Sequence, residues 1–482
     1  MRQDLRRARR TARTVPEGGW PSIVDMTTDG RIPEVVERVP QADRGAVQRI
    51  SPGDLVELAT DVGPVAMNVG AVLLLAGASD ADVSAVLARR TGGIPRLRQR
   101  LVTPPWGLGR PYWVDDEAFD VHAHVSHVRC ASPGDQAALL AVAVDAVTRP
   151  LPRSQPLWRA VVVTGLVDEQ VGLVMVLHHV LADGIGGLAV LARLVDGDGS
   201  VSPAPVDFGH AGPVRPGPRA WDLLADSTVD RWRTLRGALH ALVRVHSGRV
   251  ELGRGRRGAP RCSLNAPTGP RRQVATVEVD LDPVRAAGRR FGATVNDVLL
   301  VAVSGAMARV LHGRGEEVAE LVVSVPVSAR ASTTSHDLGN RVGVMPVRAP
   351  VHGSVPERLA RVAQITRAQK THARGASAAL VGPVFRLLAS AGLFRWFVDR
   401  QRLVNSFLTN MPGPTGPLAF AGARILRVIP VTITAGNVGV AFAALSYAGR
   451  LSVTVIVDPD VVPEVDDVVA ALESELRAIA DA

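Results

Sequence analysis

The segment VGLVMVLHHVLADGIGG (residues 171–187) ends an apolar run on two adjacent histidines and follows them with Asp183-Gly184. Imidazole is a poor core filler, because each ring carries a donor and an acceptor that need partners once water is removed. In an extended segment neighbouring side chains point to opposite faces, so His178 and His179 cannot share one task. One ring faces a packed layer; the other faces a cleft, where it can act as a general base toward a hydroxyl or thiol. Asp183 opens the helix predicted over IGGLAVLARLV. It either accepts backbone N–H bonds there or pairs with a distant arginine and braces the turn, and Gly184 lets that turn be tight. Zinc is disfavoured, since adjacent strand histidines diverge and no third ligand of suitable spacing lies nearby. No GxSxG elbow accompanies the pair, which argues against a serine hydrolase.

The elements that must position these residues follow from periodicity and turn chemistry. Ordered pattern begins near Ile50: a helix capped at Ser51-Pro52, a strand at 66–76, a helix over 80–101 ended by Gly92-Gly93, strand-like pieces at 111–128 and a helix at 134–148. Strands at 158–166 and 171–179 and a helix at 184–196 come next. Between 201 and 262 the composition turns to Pro, Gly and Arg around an amphipathic helix near 219–247, as in a linker or crossover. Pattern resumes with a strand at 273–282, helices at 283–292 and 294–315, strands at 322–330 and 341–350, a helix at 356–375, a strand at 451–460 and a last helix at 464–480. Alternating strands and helices predict an α/β (α+β) fold. The chain thus divides into an Arg-rich extension (1–48) expected to be disordered, an N-terminal domain (49–200), the linker (201–262) and a C-terminal domain (263–482).

The longest uncharged stretch, 428–449, is broken by Pro430, Gly436, Asn437 and Gly439 into two strands around a turn, so no transmembrane helix is predicted. VFRLLASAGLFRWFV (384–398) gathers Phe385, Leu388, Phe394, Trp396 and Phe397 around Arg386 and Arg395; a packed helix is the first reading and an interfacial patch the second. With 46% hydrophobic residues the chain has ample core. The net charge of +9 comes from arginine, Lys370 being the sole lysine, and reflects GC-rich codon usage; no finger, RNP or helix-turn-helix signature supports nucleic acid. An anionic membrane surface or a phosphate-bearing cofactor stays compatible with the charge. Cys130 and Cys262 are the only cysteines, which gives neither a disulfide framework nor a metal-ligand spacing and predicts a reducing compartment. MRQDLRRARRTARTV lacks the apolar core of a secretory signal. The expected location is cytoplasmic.

HHVLADG (178–184) resembles the HHxxxDG motif of the CoA-dependent acyltransferase superfamily, which also contains the condensation domains of peptide synthetases. Further pieces narrow the resemblance to the bacterial wax ester synthase/diacylglycerol acyltransferase family. They are ISPGDL (50–55), IPRLRQRLV with GRPYWVDDEAFDVHAHV (94–125), PLW (156–158), SLNAPTGPRR (263–272), TVNDVLL (294–300), LGNRVGVMPVRAP (338–350), TNMPGP (409–414) and SYAGRLSVTVIVDPD (446–460). Gly53 and Thr409 depart from the commoner residues of those motifs. The resemblance implies two chloramphenicol-acetyltransferase-like domains with mixed sheets and a tunnel at their interface. It implies His179 as the catalytic base, Asp183 in an orienting role, His178 and Gly184 as supporting motif positions, and Asn296 and Asp297 as the supporting ND pair.

No metal or resident cofactor is implied; acyl-CoA is the co-substrate, and a fatty alcohol or diacylglycerol the acceptor, giving wax ester or triacylglycerol. Substrates so apolar imply peripheral contact with the inner membrane or lipid inclusions. Read from the residues alone, Asn296-Asp297 after Thr294-Val295 serves equally as a helix cap. Pro156-Leu157-Trp158 reads as a proline-led strand start with packed side chains, and Asn410 with Pro412-Gly413-Pro414 as a turn. Two alternatives stand beside the main reading: a condensation-type enzyme using a carrier-protein thioester, and a non-catalytic lipid-binding paralogue.

Overall fold

The computed structural model describes residues 47–105, 108–181, 184–196, 217–228, 232, 258–328, 342–372, 385, 388 and 391–482. Of the extension expected to be disordered (1–48), residues 1–46 lie outside the described residues, as does most of the 201–262 linker. Within them the N-terminal half contains helix α1 (Pro52–Thr60), strand β1 (Asn68–Leu75), α2 (Asp80–Thr91), β2 (Gln99–Val102), β3 (Tyr112–Asp115), β4 (Val125–Arg129), α3 (Gln136–Thr148), β5 (Trp158–Thr164), β6 (Val171–His178) and α4 (Gly184–Leu194). The C-terminal half contains β7 (Gln273–Asp280), α5 (Leu281–Arg290), α6 (Val295–Gly313), β8 (Glu320–Ser328), β9 (Val342–Pro350), α7 (Val355–His372), α8 (Phe394–Val398), β10 (Ser406–Pro412), β11 (Ala419–Phe420), β12 (Ala423–Val431), β13 (Val440–Tyr447), β14 (Arg450–Val457) and α9 (Val465–Ala480).

Strand β6 is buried at every position. Its unbroken apolar run, in place of an alternating one, is that of a central strand covered on both faces. It lies antiparallel between β1 and β5 in a mixed sheet ordered β11-β12-β1-β6-β5-β4, with β4 parallel to β5. One face is covered by α3, whose Leu139, Leu140, Ala143 and Val147 pack on Val72, Val163, Val174 and Val176. A Cβ at Gly172 would stand 2.7 Å from Leu139 Cδ1, so glycine is what allows that helix to approach. The other face packs against α2 and α4 through Val83, Leu87, Val190 and Leu194. Each fully buried aliphatic side chain contributes roughly 1.5–3 kcal/mol, so the strand carrying the histidines is among the best-anchored parts of the molecule.

The second mixed sheet is ordered β7-β14-β13-β10-β8-β9, with β10 parallel to both of its neighbours. Helices α5, α6, α7 and α9 share one core with it. Helix α6 is long and apolar enough to cross a membrane, but its faces are buried in this core.

Sheet membership crosses the chain-order division. Strand β12 pairs antiparallel with β1 over Gly70–Leu75, so the first sheet is completed by residues from the C-terminal half. The physical reason is the two-sided burial of β12: Ile425 and Val428 enter one core of the first sheet and Ile429 and Val431 the other. Without it β1 would be an apolar edge. Two local expectations also change. The helix over 80–101 stops at Thr91, since Gly92-Gly93 and Pro95 break it before β2 begins. In TNMPGP the residues Thr409–Pro412 are strand, because β10 is held there by β13, and only Gly413-Pro414 lie beyond its end.

Candidate active site

The histidines sit where β6 ends. The His178 N–H donates to Leu157 O (3.0 Å) and the His179 N–H to Met67 O (2.8 Å), so the backbones of the two flanking segments fix this point. Asn68, paired with His178 in register, donates its amide to Val147 O and Arg149 O (both 2.9 Å) and secures the C-terminus of α3. The rings part as strand alternation requires. That of His178 is buried: Nδ1 accepts the Val180 N–H at 3.0 Å, and Nε2 meets Asp61 Oδ2 at 3.2 Å. An amide aimed at Nδ1 leaves the proton on Nε2, donated to Asp61. Both nitrogens of His178 are thereby spent on structure.

Asp61, at the C-terminal end of α1, also accepts the Met67 N–H (3.0 Å) and Arg153 (3.1 Å). Burial pushes its carboxyl up, but the bonds from His178, Met67 and Arg153 outweigh that and bring it down to about 2. The His179 side chain is 28% exposed, and its Nδ1 lies 4.0 Å from Glu57 Oε2 on α1, likewise 28% exposed. Helix α1 itself is set by a capping box in which the Ser51 hydroxyl accepts the Asp54 N–H and the Asp54 carboxylate accepts the Ser51 N–H. The ISPGDL motif thus fixes the helix that brings a carboxylate to each histidine. Sequence reading missed Glu57 and Asp61; the signal was their i, i+4 spacing on a capped helix, which looks the same as a solvated face.

Gly184 begins α4 as expected; Asp183 lies outside the described residues. Asp297 is buried and closes a capping box on α6: Oδ2 accepts the Thr294 N–H and hydroxyl (both 2.8 Å), and Oδ1 accepts the Thr366 hydroxyl at 2.8 Å. The cap reading of this residue holds, and half-buried Asn296 sits on the same first turn. Leu157 and Trp158 are packed, with the indole N–H donating to Leu97 O (2.7 Å) and the ring stacked on His124 at 4.5 Å. The SLNAPTGPRR motif is tied to VIVDPD through the buried Arg272–Asp458 pair (3.5 Å) and the Gly269 N–H to Asp458 bond (2.5 Å). In 384–398, Phe385, Phe394 and Phe397 form a ring cluster while Trp396 is 59% exposed; Arg386 lies outside the described residues.

Two mixed sheets, joined by an exchanged strand and carrying a half-exposed histidine at the end of a buried strand, define the chloramphenicol-acetyltransferase-like class. Comparison with known proteins gives the family. The wax ester synthase/diacylglycerol acyltransferase catalytic domain matches residues 50–299, and the C-terminal domain of the same family matches residues 338–480. A probable diacylglycerol O-acyltransferase of Mycobacterium tuberculosis is 32% identical over 434 residues, covering 86% of this chain and 91% of that protein. The fold is shared with the wax ester synthase/diacylglycerol acyltransferase of Marinobacter aquaeolei (TM-score 0.65, 24% identity, covering 90% of this chain and 98% of the other). It is shared also with a starter condensation domain of rhizomide synthetase (TM-score 0.60, 17% identity, covering 90% and 94%). The chain belongs to the wax ester synthase/diacylglycerol acyltransferase family and is an acyltransferase.

Proposed function

We propose that this enzyme moves a long-chain acyl group from acyl-CoA to a fatty alcohol or diacylglycerol, with His179 as general base. The observation that carries the assignment is the asymmetry of the two imidazoles: His178 is buried with both nitrogens engaged, while His179 is partly open. Neutral His179 takes the hydroxyl proton as the acceptor oxygen attacks the thioester carbonyl. The tetrahedral adduct collapses with cleavage of the C–S bond, and the imidazolium returns its proton to the departing sulfur, leaving ester and free CoA. No covalent enzyme intermediate is needed. To Asp183 we assign the orienting role that the family motif implies, and to the interface of the two halves a passage that admits donor and acceptor from separate sides.

Substrates of this kind partition into lipid, and α8 with its approach offers a means of reaching them. Leu393 (51% exposed) and Trp396 (59%) accompany Arg395 and Arg400, a combination suited to peripheral contact with an anionic lipid surface.

The test is a purified enzyme given palmitoyl-CoA with hexadecanol or dipalmitoylglycerol. CoA release with ester formation is expected, and lipid binding without CoA release would support the non-catalytic alternative instead. His179→Ala should lose roughly a thousandfold or more in turnover, with an unchanged far-UV circular dichroism spectrum. A His179→Ala enzyme with substantial activity removes the mechanism.

A further inference from the structure

We propose that Glu57 is the positioning residue of His179: its carboxylate keeps the imidazole proton on Nδ1, so that Nε2 is the nitrogen left to accept a proton. The inference rests on the reading of His179 as base. Its physical ground is that a neutral imidazole holds one proton, and which nitrogen carries it is set by the hydrogen bond the other can make. For Nε2 to receive a hydroxyl proton, the ring's own proton must reside on Nδ1 and be held there by an acceptor. Among the described residues, the acidic group at that atom is the Glu57 carboxylate, with Oε2 4.0 Å from Nδ1. This is longer than a hydrogen bond, as such contacts are before a substrate closes the site. When Nε2 takes the second proton, the same carboxylate faces the resulting cation.

Two further observations separate this from a chance surface pair. Glu57 is carried on a helix whose start is fixed by the Ser51–Asp54 capping box and whose end is tied to the strand end through the Asp61–His178 contact. Asp61, one turn further on, meets the neighbouring ring of His178 at Nε2. Adjacent histidines on opposite faces are thus met by two carboxylates of one helix, and the proposal gives them opposite tautomers: Nε2–H for His178, where the Val180 amide occupies Nδ1, and Nδ1–H for His179, where the Glu57 carboxylate stands at 4.0 Å. Asp61, shared with Arg153 and the Met67 amide, meets His178 and not His179.

The experiment combines 15N spectra of histidine-labelled full-length enzyme with kinetics of Glu57→Gln, Glu57→Leu and Glu57→Asp. In the parent, His179 should show the Nδ1–H pattern and His178 the Nε2–H pattern; the two are assigned with His179→Ala and His178→Asn. Glu57→Leu should shift His179 toward Nε2–H, leave His178 unchanged and lower kcat about fivefold, the equivalent of about 1 kcal/mol. KM for palmitoyl-CoA should stay within about twofold, because a proton position and not a binding contact has been lost. Glu57→Asp should recover part of kcat, and Glu57→Gln supplies the measurement if the leucine variant does not fold. An unmoved His179 pattern with kcat within twofold of the parent overturns the proposal. Failure of the base assignment is read separately, since it appears as an active His179→Ala enzyme whatever Glu57 does.

Discussion

Replacing Asp61 by asparagine keeps the shape and an acceptor oxygen but removes the charge on which His178, the Met67 amide and Arg153 converge. Its cost follows from the carboxyl group itself. Burial raises it, the three bonds lower it further, and the balance takes it from 3.8 to about 2. At about 1.36 kcal/mol per pH unit that change corresponds to about 2.4 kcal/mol of folding stability. Arg153 is 57% exposed and partly screened, which brings the expectation to about 2 kcal/mol. The sign is fixed by the direction: the folded carboxyl lies below the unfolded one, so the contribution is complete above about pH 4 and disappears as pH falls through about 2. Urea unfolding of parent and Asp61→Asn, followed by circular dichroism from pH 7 downward, should give a gap of about 2 kcal/mol at neutrality that closes across that window. Glu464 and Glu357 are also held below the ordinary carboxylate range, but both proteins carry them and they cancel in the difference. A gap independent of pH, or none at pH 7, would refute the account of how His178 is held.

Other parts of the scaffold give equally direct expectations. Trp158→Ala removes a buried ring stacked on His124 and bonded to Leu97 O, and should cost about 3–5 kcal/mol, seen as a sharply lower melting temperature. Gly413→Ala would place a Cβ 2.2 Å from Ser446 O, so β10 must part from β13; little folded protein should be recovered, and a normal yield would contradict the register. Thr366→Val strips the Asp297 Oδ1 of its partner and should destabilise by about 1–3 kcal/mol in urea titration. Trp396→Ala should weaken sedimentation with anionic phosphatidylglycerol vesicles while leaving turnover of dispersed substrate intact; unchanged sedimentation would remove α8 from the lipid contact.

What was legible in the sequence and what was not divide along sequence distance. The apolar run before the histidines, read as a strand over 171–179, is β6 over Val171–His178, and the opposed directions of the two rings follow from strand alternation alone. The cap after Thr294 was legible for the same reason, since donor and acceptor lie three residues apart. The exchange of β12 was not, because nothing local in ARILRVIPV says that its partner is β1, at least 350 residues earlier. The carboxylates of α1 were hidden in the same way. Glu57 and Asp61 have the spacing of a solvated helical face, and only pairing across 117 residues between Asp61 and His178 gives them a task. That pairing in turn explains why a motif at Ser51–Asp54 belongs with one at His178–His179. The capping box fixes where α1 starts, the start fixes where two acids emerge within the next three turns, and those acids face the two imidazoles. A defect in the cap should therefore reach the histidines. Ser51→Ala, which leaves both acids and both rings in place, should cost about 1 kcal/mol of stability and lower kcat together with it, whereas an exposed cap of comparable worth, such as Ser79 on α2, should lower stability alone. Equal catalytic effects from the two caps would break the chain of positioning that runs from Ser51 to His179.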